Sequence, residues 1–154
     1  MSLANVVESA ALLIIGGLVT WFVQSRIEAI RSIKESLNSQ RMTTYIQILD
    51  PFFSLFSGTG SDTQHAIKQL TSYKYRKTAF ELTLFGADGV VKAYNSMFQY
   101  AYKMESGTPD IKETMWLWGH LLLEIRKSLG NKRTSLDEYD MLRAMIKDID
   151  DFKK

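Results

Sequence analysis

The chain has 154 residues and a formal net charge of +2, from 19 basic against 17 acidic side chains, so it lacks the polyelectrolyte character that duplex nucleic acid selects. Cysteine is absent, which excludes disulfides, thiolate metal sites and cysteine nucleophiles. Two prolines and no low-complexity stretch argue against a disordered tail.

Residues 9–25, between Glu8 and Arg26, carry no charge and read as a membrane span. At ~1.5 Å per residue such a helix covers roughly 25 Å, a little under the hydrocarbon core, and Val6 and Val7 extend it if Glu8 reaches the headgroups. A cleaved signal peptide fits poorly, because no basic n-region precedes the run and no small-residue cleavage pattern ends it. A buried core helix is the stronger rival on length alone. Gly16 and Gly17 at its centre favour the membrane, where glycine permits close helix packing. A helix lying on the bilayer surface needs a polar face, and residues 9–23 supply none. Arg26, Arg31, Lys34 and Arg41 follow the run closely while only Glu8 precedes it, so the N-terminus is expected outside and residues 26–154 in the cytoplasm.

The apolar positions Ile27, Ile30, Ile33 or Lys34, and Leu37 continue at helix spacing with neither Gly nor Pro before Asp50. One long helix is therefore predicted through the span and a stalk to Leu49, broken or kinked at Asp50-Pro51, with Phe52 to Phe56 packing beyond it. A second helix is predicted from Ser61 or Asp62 to Phe85-Gly86, with Ala66, Ile67, Leu70, Tyr73, Phe80 and Leu84 inward. The third runs from Ala87 or Asp88 to Met104 with Val90, Val91, Tyr94, Met97, Phe98 and Ala101 inward, the cleanest amphipathic pattern in the chain. Asp110 to Leu129 forms a fourth, apolar almost all round, with Trp116, Trp118, Leu122 and Ile125 expected in the core and Gly130 as its stop. Ser135-x-x-Glu138 is a capping box for a last helix with Leu136, Tyr139, Leu142, Ile146 and Ile149 inward. The expected fold is all-α: a transmembrane anchor over residues 1–25, then a cytoplasmic domain over 26–154 comprising the stalk and a bundle of about four further helices.

Little in this pattern carries chemistry. His65 and His120 are far apart, and Glu124, four residues after His120, makes at most a carboxylate–histidine pair, so neither a catalytic nor a metal site is expected. Gly58-Thr59-Gly60 lacks the spacing of a phosphate loop and serves as a linker. Two basic clusters are candidate anion or ligand sites: Lys74, Arg76 and Lys77 interleaved with Tyr73 and Tyr75, and Arg126, Lys127, Lys132 and Arg133 at the end of the fourth helix. A solvated face is the stronger reading, ahead of anionic lipid contact or a nucleotide or nucleic-acid ligand, since Tyr73 lies on the predicted core stripe and cations at a helix C-terminus are favoured by its dipole. Within the span, Gly16, Gly17 and Thr20 form a small-residue pattern suited to packing between protomers.

The segments Leu84 to Tyr94 and Leu121 to Thr134, with helix stops at Gly86 and Gly130, resemble a group of small bacterial, prophage-associated membrane proteins that join one N-terminal span to a helical cytoplasmic domain. The resemblance covers nearly the whole chain and implies topology rather than a reaction. A looser similarity is to accessory membrane proteins of antiviral systems.

The expectation drawn together is a non-enzymatic, single-pass protein of the bacterial inner membrane, a homo-oligomer without cofactor. Its more specific form is an effector or pore-forming component of phage defence. The alternative is a membrane-tethered sensor or adaptor whose cytoplasmic bundle binds a nucleotide or a protein partner.

Overall fold

A computed structural model describes the backbone of residues 3–57, 60–104 and 107–153, and the side chains of 20–54, 64–104 and 107–153. Among the described residues all regular structure is helical: α1 (Leu3–Ser57), α2 (Gly60–Leu70), α3 (Tyr73–Phe85), α4 (Asp88–Lys103), α5 (Ile111–Ser128) and a 3₁₀ turn at Ile149–Phe152. The chain divides into two compact units, residues 1–39 and 40–154.

The first unit is α1 as far as Ser39, and its side chains from Thr20 to Ser36 are exposed. Arg31 donates to Glu35 one turn on, at 2.8 Å, and the Arg26 guanidinium lies over the Phe22 ring at 5.2 Å. Such local pairs steady an exposed helix by a few tenths of a kcal/mol each. Most of the apolar run expected to span a membrane, residues 9–19, lies outside the described side chains; among the described residues no helix is long and apolar enough to cross a membrane.

In the second unit α1 passes through Asp50-Pro51 and ends only at Ser57, so the break expected there does not occur. Proline costs the helix one amide donor, but its ring already holds the helical φ. Pro51 is fully buried, with Ile48, Leu49 and Phe52 buried beside it, and that burial offsets the lost bond.

The expected second helix is two. Thr71 Oγ1 donates back to the Ile67 carbonyl at 3.1 Å, and the Ser72 hydroxyl accepts from the Tyr75 amide at 3.1 Å, closing α2 and capping α3. The interruption resets the helical phase. Ala66 is buried and Leu70 half-buried as expected, but Tyr73, Phe80, Leu84 and Ile67 are exposed. The inward face of α3 is instead Tyr75, Thr78 and Leu82.

α4 follows its predicted stripe, burying Val90, Ala93, Tyr94 and Met97 with Val91 and Phe98 packed alongside, while Ala101 is exposed. The Asp110 carboxylate accepts from the Lys112 amide at 2.8 Å and so starts α5. α5 ends where expected: the Gly130 amide donates to the Lys127 carbonyl and the Asn131 amide to the Arg126 carbonyl, a paired closure that needs the φ of +115° Gly130 adopts. Trp118 and Ile125 are buried and Leu122 half-buried, whereas Trp116 turns outward, 40% exposed, and stacks on His120.

The last predicted helix is absent. Residues 138–145 form consecutive turns, and the Ser135-x-x-Glu138 capping box is replaced by a reciprocal pair two residues on: the Asp140 amide donates to Asp137 Oδ1 at 2.8 Å and the Asp137 amide to Asp140 Oδ2 at 3.0 Å. Glu138 is committed elsewhere. Its backbone lies so close over Gly119 that no Cβ fits there, and its carboxylate faces His120 Nδ1 at 3.2 Å. Leu142 and Ile149 still reach the core, Tyr139 and Ile146 pack against it, and Leu136 is exposed. Lys153 donates to Asp137 at 2.8 Å, and Arg143 holds Asp150 through two bonds of 2.7 and 2.9 Å.

Polar groups inside the domain are matched. The Tyr45 hydroxyl accepts from the Ala87 amide at 3.0 Å and pairs at 3.3 Å with Ser128 Oγ, whose own proton goes to the Ile125 carbonyl at 2.8 Å, and Arg41 Nε donates to the Phe85 carbonyl at 2.6 Å. Deeper in, Tyr94 donates its hydroxyl to Tyr75 at 3.3 Å, and Tyr75 donates to the Ile48 carbonyl at 3.4 Å. Burial pushes both phenols above the ordinary tyrosine range, and for Tyr75 the neighbouring Tyr94 adds to the effect.

Two outcomes follow from this packing. Trp118 meets Phe52 edge to face with ring centroids 4.0 Å apart, so Trp118→Ala is expected to lower unfolding stability by about 3 to 5 kcal/mol in denaturant titrations, against less than about 1 kcal/mol for Trp116→Ala. The bond from Lys153 holds Asp137 below the ordinary carboxylate value of 3.8, and the bond from Arg143 does the same for Asp150. For depressed acids the stabilisation is complete above the unfolded pKa and disappears as pH falls through the folded one. Hydrogen exchange of residues 137–153 is therefore expected to be constant at neutral pH, after correction for intrinsic rates, and to lose protection below about pH 4 before α4 and α5 do.

Candidate functional site

An apolar cleft of about 370 Å³ in the helical domain is bounded by Phe52 of α1, Leu70 of α2, Met97, Phe98, Tyr100 and Ala101 of α4, Met104, Pro109, and Thr114, Leu117 and Trp118 of α5. It exists because α4 presents the small Ala101 between Met97 and Met104, at positions one helical turn apart on one side of the helix. Pro109, in the linker to α5, borders the gap. Tyr100 pins that linker: its hydroxyl accepts from the Asp110 amide at 2.9 Å and donates to the Asp110 carbonyl at 3.3 Å. Thr114 Oγ1 donates to the same carbonyl at 2.7 Å.

These bonds decide what the cleft can hold. Its two hydroxyl-bearing rim residues, Tyr100 and Thr114, are both engaged with the protein, and among the described residues no Asp, Glu, His, Lys or Arg lines it, so the described lining offers mainly aromatic and thioether surface. Its volume lies at the small end for ligand pockets, enough for an acyl segment or an aromatic ring system. Methionine side chains adapt to irregular apolar shapes, which suits a site that selects by hydrophobicity.

The seven expected basic residues do not converge. Arg126 and Arg133 share an open, polar cleft of about 450 Å³ with Gly130, Asn131, Thr134, Ser135 and Leu136, and Arg126 Nε donates to Thr134 Oγ1 at 3.2 Å. Lys74 lies in a separate cleft of about 180 Å³ beside Asp50, whose carboxylate accepts from Gln69 at 2.6 Å. That carboxylate makes the second cleft a poor anion site. Arg76 and Lys132 are exposed, Lys77 is 3.9 Å from Glu81, and Lys127 donates to Glu124 at 2.7 Å. Cations around Arg126 also face the negative end of α5, which accounts for part of their placement.

His120 pairs with Glu138 rather than with Glu124, which packs against Gly89 in the first turn of α4. Among the described residues no group of three His, Cys, Asp or Glu side chains could hold a metal ion. Gly16 and Gly17 lie outside the described side chains, and Thr20 is exposed on α1. Phe52, Leu70, Met97, Phe98, Ala101 and Trp118 were legible in the sequence as packing positions, whereas Tyr100, Met104, Pro109 and Thr114 were not; the signal of a cavity was one small residue, Ala101, in an otherwise bulky stripe.

No protein-family model, curated protein or solved structure matches this chain. The resemblance to prophage-associated membrane proteins therefore rests on the sequence alone.

Proposed function

We propose that this protein is a non-enzymatic, membrane-anchored binding protein: residues 9–25 hold it in the bacterial inner membrane, and the helical domain on the cytoplasmic side takes up an apolar ligand or apolar side chains of a partner. The observation that carries this reading is the cleft between α4 and α5, whose described lining is predominantly apolar. The uncharged run and the basic residues that follow it support the anchor and its orientation. The Gly16, Gly17 and Thr20 pattern supports association of the anchor with copies of itself. A sensor or adaptor fits these features better than a nucleotide-binding protein, because the basic residues are split between clefts, one of them shared with Asp50. A phage-defence effector is the form in which ligand binding drives the oligomeric anchor to disturb the bilayer.

The test uses the full chain in membranes with a fatty acid carrying a terminal alkyl diazirine. After photolysis, label is expected in peptides covering Met97–Met104 and Pro109–Trp118, and Ala101→Trp, which fills the cleft from an exposed position, is expected to reduce it at least tenfold while far-ultraviolet circular dichroism stays unchanged. Equal labelling of the Ala101→Trp variant, or label concentrated on Phe80 and Leu84, would sink the ligand reading. Full solubility without detergent, or a C-terminal reporter active outside the cytoplasm, would sink the anchor.

A further inference from the structure

The exposed part of α1 carries a repeat that a solitary helix has no use for. Val19 to Ser25, Arg26 to Ser32 and Ile33 to Ser39 are three successive seven-residue blocks, each ending in serine and each placing an aliphatic residue, Val23, Ile30 or Leu37, at its fifth position. Ile27 precedes Ile30 by three residues, and Glu28 and Glu35 recur seven apart. In heptad terms Thr20, Ile27 and Lys34 occupy a, Val23, Ile30 and Leu37 occupy d, and Ser25, Ser32 and Ser39 occupy the outermost position, f.

A seven-residue period is not the period of a straight helix. Over three heptads an unsupercoiled α-helix drifts by about 60°, so a helix lying on a globular surface has no reason to keep the same residue types in strict register. Two or more like helices wound around each other do. Val23, Ile27 and Ile30 are each about half exposed or more, at 49, 59 and 55%, so the face that the repeat marks is open to a partner. We infer that residues 19–39 form a parallel, in-register coiled coil with the same segment of further copies of this chain, with Val23, Ile27, Ile30 and Leu37 as its seam.

Register favours a second copy over an unrelated helix. In a parallel pair Arg26 at g approaches Arg31 at e of the next copy, a like-charge contact that Glu35 relieves by pairing with Arg31 on its own helix at 2.8 Å. Lys34 is the one charged residue at a between Thr20 and Leu37 and aligns only with itself when the strands are in register, a device that fixes alignment at some cost in stability. The same alternation of four and three residues runs back from Val23 through Thr20 to Gly16, so the seam is continuous in sequence with the small residues of the proposed anchor. Ile27 at a and Ile30 at d, both β-branched, favour more than two strands.

The inference rests on the oligomer part of the proposed function and is independent of the ligand cleft. Because the chain has no cysteine, single cysteines can be placed at will in the full-length protein. Val23→Cys, Ile30→Cys and Leu37→Cys are each expected to form disulfide-linked dimers under mild oxidation, at least tenfold faster than Ser25→Cys, Ser32→Cys and Ser39→Cys. An antiparallel pairing would leave at most one of the three seam positions reactive and would overturn the inference, as would equal rates on both faces or no crosslinking at any position. Running the series in membranes and in detergent separates the two readings: seam crosslinks from a protein that does not sediment with membranes support the coiled coil and refute the anchor, whereas membrane sedimentation with monomers alone refutes the coiled coil and spares the anchor.

Discussion

Around the Tyr45 hydroxyl three stretches of chain meet: the ring is 1% exposed on α1, the Ala87 amide reaches it from the start of α4, and Ser128 reaches it from the end of α5. A buried hydroxyl makes two bonds only if both partners arrive in fixed directions, so this oxygen sets how those helix ends approach α1. Arg41 adds a cap on the last turn of α3 from one turn earlier. Below them Ile48, Leu49 and Phe52 supply the apolar face against which α4 and α5 close, and the fold of residues 40–154 is the consequence of that one face being held in place. Pro51 can sit inside the helix because it lies on this face.

The sequence was most informative where a helix has to bury a single stripe. α4 and the limits of α5 follow from spacing and stop signals alone, because Val90, Tyr94 and Met97 recur with the helical period and Gly130 can adopt the positive φ that closes α5. It was least informative where side chains compete with the backbone. Thr71 and Ser72 divide what reads as one amphipathic helix, and once the phase is reset, Tyr73, Phe80 and Leu84 face solvent. At the C-terminus, Ser135-x-x-Glu138 has the letters of a capping box, yet Gly119 and His120 draw Glu138 to α5 and leave Asp137 and Asp140 to organise turns instead. Neither competition has a signature in hydrophobic periodicity.

The candidate site shows the same limit from another side. A cavity is a deficit of volume among residues that are each ordinary core formers, so Phe52, Met97 and Trp118 gave no warning of it. The basic residues, by contrast, attracted notice by type and proved to be scattered, since Lys74 of α3 lines a cleft beside Asp50 and Arg126 of α5 lines another. Clustering in sequence predicted clustering in space only for Arg126 and Arg133.

The hydrogen-bonded phenols of Tyr75 and Tyr94 have a spectroscopic consequence. Among the chain's seven tyrosines, these two are held neutral above the ordinary phenol range by burial. Their ionisation requires α3 and α4 to part from α1, because a phenolate has no solvation in that position. Tyrosinate absorbance from these two rings is thus gated, and its delay measures how often the centre of the domain opens to water.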